Sequence, residues 1–213
     1  MLCRNAACYE ELPVCIDCLN DLRNILSEKC KNCGKSAAGC DCSDNGSIRF
    51  LFFYEKYKAQ KLIYFIKTNV DRTSLDFIVE LLFENCGINP ERYDAVTFVP
   101  RRKRTIRRYG HDQSKELAKA IERVYGIPCV KTLSRVGRGE QKLLSAKARY
   151  KNIKKKYKLA KEFPKEARFK RILLIDDVFT TGATIKACAE LLRGAVSEAV
   201  VPLVLAKTNY LKK

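Results

Sequence analysis

The chain has 213 residues, with 42 Lys+Arg against 24 Asp+Glu and a single His, for a formal charge of +18 at pH 7. A composition of 46% hydrophobic and 31% charged residues is that of a globular protein and excludes disorder throughout. The longest apolar runs, Phe50 to Tyr54 and Ala199 to Ala206, fall well short of the ~20 residues that span a bilayer. The start, Met1-Leu2-Cys3-Arg4, has no apolar stretch behind a basic segment, so no export signal is expected and the expected compartment is the cytoplasm.

Of the 11 cysteines, the first eight are Cys3, Cys8, Cys15, Cys18, Cys30, Cys33, Cys40 and Cys42. They form four close pairs, and two such pairs supply the thiolates of one tetrahedral structural zinc. A disulfide framework would need an oxidising compartment, which the missing export signal argues against. A segment of this size also lacks the apolar mass for its own core, so a metal would stabilise it. The preferred grouping puts Cys3, Cys8, Cys15 and Cys18 around one zinc and Cys30, Cys33, Cys40 and Cys42 around a second. A single site with the remaining thiols free is the alternative. Cys86, Cys129 and Cys188 sit in apolar surroundings and read as small core residues. The polar stretch Ser36 to Ser47 reads as a linker, which gives a small domain over 1–46 and a larger one over 47–213.

The larger part has a different texture. Phe50 to Tyr54 is predicted as a buried strand, and Lys58 to Thr68 and Ser74 to Asn85 as helices from their apolar spacing. Ala95 to Val99 is a strand ending at Pro100, and Ser114 to Tyr125 is an amphipathic helix stopped by Gly126-Ile127-Pro128. Arg171 to Ile175 is a continuous apolar run, as in a parallel strand covered on both faces. Thr184 to Arg193 is a helix and Ala199 to Ala206 a final buried strand. Strands alternating with helices predict an α/β fold with a doubly wound parallel sheet.

The charge is confined to one part of this plan. Residues 1–50 and 51–100 each hold 6 basic and 7 acidic residues, whereas 101–171 hold 25 basic and 6 acidic, a net of +19. A local excess of this kind indicates an anionic partner: phosphate, nucleic acid or an acidic lipid face. Lys147 to Lys161 contains eight basic residues interleaved with Tyr150 and Tyr157. Lysines can track a phosphate backbone while tyrosine faces stack bases, as in single-strand binding; a solvated loop is the plainer reading.

The most informative segment is Ile172 to Thr184, ILLIDDVFTTGAT. An apolar strand leads into Asp176 and Asp177, and then a Thr-Thr-Gly turn opens a helix. Ligands of open α/β sheets bind beyond the carboxyl ends of the strands. Thr180, Thr181, Gly182, Ala183 and Thr184 offer N–H groups and hydroxyls at a helix N-terminus, which favours an anion. The two carboxylates can accept from vicinal hydroxyls or hold a Mg²⁺ that does. Phosphate and hydroxyls on one ligand mean a phosphorylated ribose.

This segment resembles the signature of type I phosphoribosyltransferases for 5-phosphoribosyl 1-diphosphate (PRPP). The resemblance implies that Asp176 and Asp177 contact the ribose hydroxyls and that Thr180 to Thr184 cradle the 5′-phosphate. Further segments narrow the likeness to the ComF family. Val99-Pro100, a basic run and Gly110-His111-Asp112-Gln113-Ser114 are similar to its V-P…R-G-F-[ND]-Q. Gln141, Ser145, Arg149 and Asn152 fit its Q-x-x-L-S-x-x-x-R-x-x-N, and Tyr54 with Leu62 to Lys67 fits an early Y…L-I-x-x-x-K. The cysteine pairs fit its zinc ribbon. The chain departs from the pattern where Arg102 replaces a proline and Tyr109 an arginine; Arg107 and Arg108, a residue or two upstream, are placed to compensate. His111 either fills the aromatic place of the motif or is a general base.

The resemblance implies a PRPP-binding protein of natural transformation that handles single-stranded DNA in the cytoplasm, with competence-machinery proteins as partners. It implies Arg101, Arg102 and Arg104 at a diphosphate. Arg107, Arg108, Arg149, Lys154, Lys155 and Lys156 are the expected nucleic-acid contacts. The alternatives are a Mg²⁺-dependent phosphoribosyltransferase with Asp176 and Asp177 as catalytic residues, or an RNA-binding regulator on the same fold.

Overall fold

A computed structural model of the chain describes residues 15–42, 48–55, 57–68, 71–136, 155–163, 169–196 and 198–209. Its elements in chain order are α1 (Ile16–Leu26), β1 (Arg49–Phe53), α2 (Tyr57–Thr68), α3 (Arg72–Cys86), β2 (Ala95–Phe98), α4 (Lys103–Tyr109), α5 (Gln113–Tyr125), β3 (Leu133–Arg135), β4 (Tyr157–Leu159), β5 (Arg171–Phe179), α6 (Ala183–Arg193) and β6 (Ala199–Lys207). Local chemistry sets several boundaries. The Asp71 side chain caps α3 by accepting from the Ser74 N–H at 2.9 Å, and Gly87 ends the helix in the left-handed region at φ 60°.

The main sheet has the order β1-β6-β5-β2, and every pairing in it is parallel. β5 is central, and Ile172, Leu173, Leu174 and Ile175 are fully buried. The pleat sends alternate residues to opposite faces. Leu173 and Ile175 join a core with Ile63, Ile78, Leu82, Leu117 and Ile121 from α2, α3 and α5. Leu174 joins a second core with Ile185, Cys188 and Leu192 from α6. Helices therefore cover both faces, as the continuous apolar run of β5 predicts. β3 and β4 form a separate antiparallel hairpin.

Three further features complete the fold. α1 begins at the Cys15/Cys18 pair and buries Leu22 and Ile25 in the first core, so residues before 47 contribute to it. Ala37 and Cys40 are buried in the second core, so the described part of Ser36–Ser47 is packed rather than a free linker. The basic run after Pro100 forms α4, a short helix without a buried residue. Cys86 and Cys188 are buried and Cys129 packs against the first core; burial pushes the thiols of Cys86 and Cys129 up to about 12 and about 11.

Candidate functional site

β5 carries the two acids at its carboxyl end, beside the carboxyl end of its parallel neighbour β2. Asp177 is 8% exposed. Two cations converge on it: Lys67 Nζ, from the last turn of α2, lies 3.1 Å from Oδ2, and the Arg101 guanidinium forms a second ion pair. Burial disfavours the charged form of Asp177, but Arg101 and then Lys67 outweigh it and hold the carboxyl below its ordinary value. Asp176 behaves oppositely. Burial, and next the Asp177 charge, push its pKa up. Its Oδ1 accepts from the Ser114 hydroxyl at 3.1 Å, so the start of α5 is tied to this carboxylate.

Arg101 follows the Val99-Pro100 end of β2, and its N–H donates to Asp112 Oδ2 at 3.0 Å. The backbone after β2 is thereby fixed to the start of α5, and the guanidinium is aimed at β5. Buried polar atoms without partners gather here: Arg101 Nε, His111 Nε2, Asp112 Oδ1 and both amide atoms of Gln113, which is 2% exposed. Buried polar atoms are almost always paired, so this concentration suits a polar ligand.

The loop after β5 is built on Gly182, which caps α6 at φ 72°. A side chain there would collide with the Phe179 ring, and the left-handed backbone favours glycine as well. Thr180 and Thr181 are exposed, and Ala183 and Thr184 are half-buried. The Ala183 N–H points to Thr181 Oγ1 at 3.5 Å. Thr208 holds the loop from behind. Its N–H donates to the Phe179 carbonyl at 3.0 Å, and its hydroxyl to the Thr180 carbonyl at 3.1 Å. The arrangement offers an anion the N-terminal end of an eleven-residue helix beside two carboxylates.

The sequence-predicted residues separate into groups. Asp176, Asp177, Arg101 and the Thr180–Thr184 loop come together. Arg102 is exposed at the N-cap of α4, and Arg104, Arg107 and Arg108 are exposed on that helix, with Arg108 5.5 Å from the centre of the Tyr109 ring. Lys155 is exposed and Lys156 half-buried at the start of the hairpin strand β4. Tyr157 does not offer a free face: it is 5% exposed in the second core, under the Arg135 guanidinium. Arg149 and Lys154, like Cys3 and Cys8, lie outside the described residues. Lys67 is not among the expected site residues. Its only sequence signal is its place at the end of the L-I-x-x-x-K stretch.

A second constellation lies at Cys30, Cys33, Cys40 and Cys42, whose sulfurs all fall within 4.8 Å of one another. Cys30 and Cys42 Sγ are 3.7 Å apart, and Cys33 and Cys40 Sγ 4.0 Å. A tetrahedron with Zn–S bonds near ~2.3 Å has edges of about 3.8 Å, so four thiolates at this spacing fit zinc. Burial opposes ionisation of Cys30, yet the N–H groups of Asn32 and Cys33 more than offset it and lower the thiol to about 6. The four-cysteine grouping is the second of the two expected from spacing.

No family model matches the chain. Among curated proteins, competence protein F of Haemophilus influenzae is 35% identical over 91 residues. The chain is similar to competence protein F. The match covers 40% of this chain and 38% of competence protein F, well under half of either. Among solved structures, the glutamine PRPP amidotransferase from B. subtilis complexed with ADP and GMP is 20% identical with a TM-score of 0.43, covering 62% of this chain and 26% of that one. Orotate phosphoribosyltransferase from Aeropyrum pernix is 22% identical with a TM-score of 0.38, covering 64% of this chain and 60% of that one.

Proposed function

We propose that this chain is a ComF-like protein of the cytoplasm that binds PRPP, or a related phosphorylated ribose, and handles single-stranded DNA during natural transformation. The observation that carries the reading is the joint placement of Asp176, Asp177 and the Thr180–Thr184 loop, with Arg101 and Lys67 on the same carboxylate. In this reading Thr180 to Thr184 take the 5′-phosphate and Asp176 and Asp177 take the ribose hydroxyls. Arg101, with Arg102 and Arg104, takes the diphosphate. Asp176 and Asp177 would hold a Mg²⁺ together with the ligand, and that ion would supply charge neutralisation at the diphosphate. Residues 1–46 are the zinc-ribbon-like part and 47–213 the phosphoribosyltransferase-like part. Arg107, Arg108, Arg149 and Lys154 to Lys156 contact the DNA backbone, and competence-machinery proteins are the partners.

Calorimetry with PRPP and Mg²⁺ tests the site. Binding is expected for the wild type and absent in Asp176→Asn/Asp177→Asn; equal affinities would overturn the assignment. A second reading, phosphoribosyl transfer, is favoured by the unpartnered buried amide of Gln113, next to the Ser114 that bonds Asp176, which suits an acceptor base. There the anomeric C–O bond breaks and its electron pair leaves with diphosphate, a base nitrogen bonds the carbon, and the proton that nitrogen carried passes to diphosphate or water. Base-dependent diphosphate release from labelled PRPP across a panel of bases would establish it.

A further inference from the structure

Three successive residues at the end of β6 stand between the cysteine centre and the phosphate loop. Lys207 is 6% exposed. Its ammonium donates to Cys40 Sγ at 3.5 Å and lies 4.9 Å from the centre of the Phe50 ring. Among the described residues no carboxylate forms an ion pair with it. Thr208 donates to the Phe179 and Thr180 carbonyls of the loop. Asn209 accepts from the Lys31 N–H at 3.0 Å and donates to the Lys29 carbonyl at 3.1 Å, gripping the backbone on both sides of Cys30.

A buried ammonium needs a counter-charge, and here the neighbouring group is a cysteine sulfur rather than a carboxylate. A zinc ion bound by four thiolates carries a net charge of −2, which a cation at one sulfur halves.

We propose that Lys207 is the charge partner of a zinc tetrathiolate at Cys30, Cys33, Cys40 and Cys42, and that Lys207, Thr208 and Asn209 make the shape of the Thr180–Thr184 loop depend on that metal. With Lys207 fixed at Cys40 and Asn209 fixed around Cys30, Thr208 between them is fixed too. It then keeps the Phe179 and Thr180 carbonyls engaged, so the loop is formed before a ligand arrives and less ordering is needed at binding. The consequence for ligand affinity rests on the proposed PRPP reading; the consequences for metal affinity and loop protection do not.

The test uses the full chain. Zinc affinity is measured by competition with a chelator for the wild type, Lys207→Met and Lys207→Arg. Outer-shell partners typically change metal affinity by roughly 10–100-fold, so Lys207→Met is expected to fall by about that factor and Lys207→Arg to recover most of it. Wild-type affinity in a folded Lys207→Met overturns the charge-partner role, as does an equal loss in Lys207→Arg. Hydrogen exchange on the wild type, with and without zinc, needs no variant. Amides of Thr181 to Thr184 are expected to exchange faster once zinc is removed. Unchanged exchange there, while Cys30 to Cys42 respond, overturns the coupling. PRPP affinity should fall about tenfold or more on zinc removal, and an unchanged value also counts against the coupling. A zinc-loaded wild type that fails to bind PRPP overturns the phosphoribosyl reading alone, because the metal and exchange results still decide the role of Lys207.

Discussion

Arg101 reaches from the end of β2 to the carboxylate of Asp177 on β5, joining two strands that already pair through their backbones. The ion pair sits at the carboxyl ends of both strands. It is largely screened from water, with the Asp177 side chain only 11% exposed. Lys67 adds a second cation from α2. One carboxylate therefore fixes three elements around the site.

Replacing Arg101 by Ala leaves Asp177 with Lys67 alone. Removing one partner of a buried polar pair costs roughly 1–3 kcal/mol, so denaturant unfolding of Arg101→Ala should shift by about that amount at neutral pH. The sign of the pH dependence follows from the lowered pKa of Asp177. Its stabilisation is full above the ordinary value of 3.8 and is lost as pH falls toward about 2. The wild-type and variant curves should therefore converge in acid. A gap that stays constant would place the effect elsewhere.

Asp176 gives the opposite dependence. Its folded pKa is raised above the ordinary 3.8, first by burial and then by Asp177, so its ionisation weakens the fold as pH rises past that value. Asp176→Asn cannot ionise and keeps an acceptor for the Ser114 hydroxyl. The variant should be more stable than the wild type at about pH 8 and lose most of that advantage at about pH 5, measured by thermal melting. The same substitution removes a proposed ligand contact, so greater stability and weaker PRPP binding should appear together.

Gly182→Ala introduces two separate problems. The left-handed backbone costs an alanine about 1–2 kcal/mol, and its Cβ collides with the Phe179 ring. The double variant Gly182→Ala/Phe179→Ala removes the collision and keeps the backbone cost. A coupling between the two substitutions in a double-mutant cycle of melting data is the expected result; strict additivity would mean that the ring moves away freely.

The exposed arginines of α4 are a direct test of nucleic-acid binding. Each arginine–phosphate pairing removed from a single-strand complex should reduce the slope of log affinity against log salt by about 0.7. Arg107→Ala/Arg108→Ala should thus flatten the slope by about 1.4 for single-stranded DNA. An affinity without salt dependence would remove the electrostatic footprint.

Much of this architecture was legible from patterns that depend on sequence neighbours. The fully apolar Ile172–Ile175 announced a strand covered on both faces, and the spacing of Cys30, Cys33, Cys40 and Cys42 announced their grouping. What escaped was set by distant packing. Lys67 is placed at Asp177 by the way α2 lies on the first core, and the L-I-x-x-x-K stretch that it ends does not record which acid it meets. α4 (KRTIRRY) is mostly basic, so it has no apolar period to reveal a helix. Tyr157 reads as one aromatic among lysines, yet β4 turns it into the second core. Thr208 and Asn209 lie just past the last strand, and their roles exist only because β6 delivers them to two loops formed much earlier in the chain.

The strand order has a kinetic consequence. Among the described residues β1 has no sheet neighbour except β6, and the paired residues Arg49 and Leu203 are about 150 positions apart. Closing a loop of that length costs entropy before any contact rewards it, and sheets built on such pairings fold slowly. During synthesis β1 must wait for almost the whole described chain to emerge. Until then its phenylalanines Phe50, Phe52 and Phe53 have no edge to join, a state in which apolar strands are prone to associate with other chains.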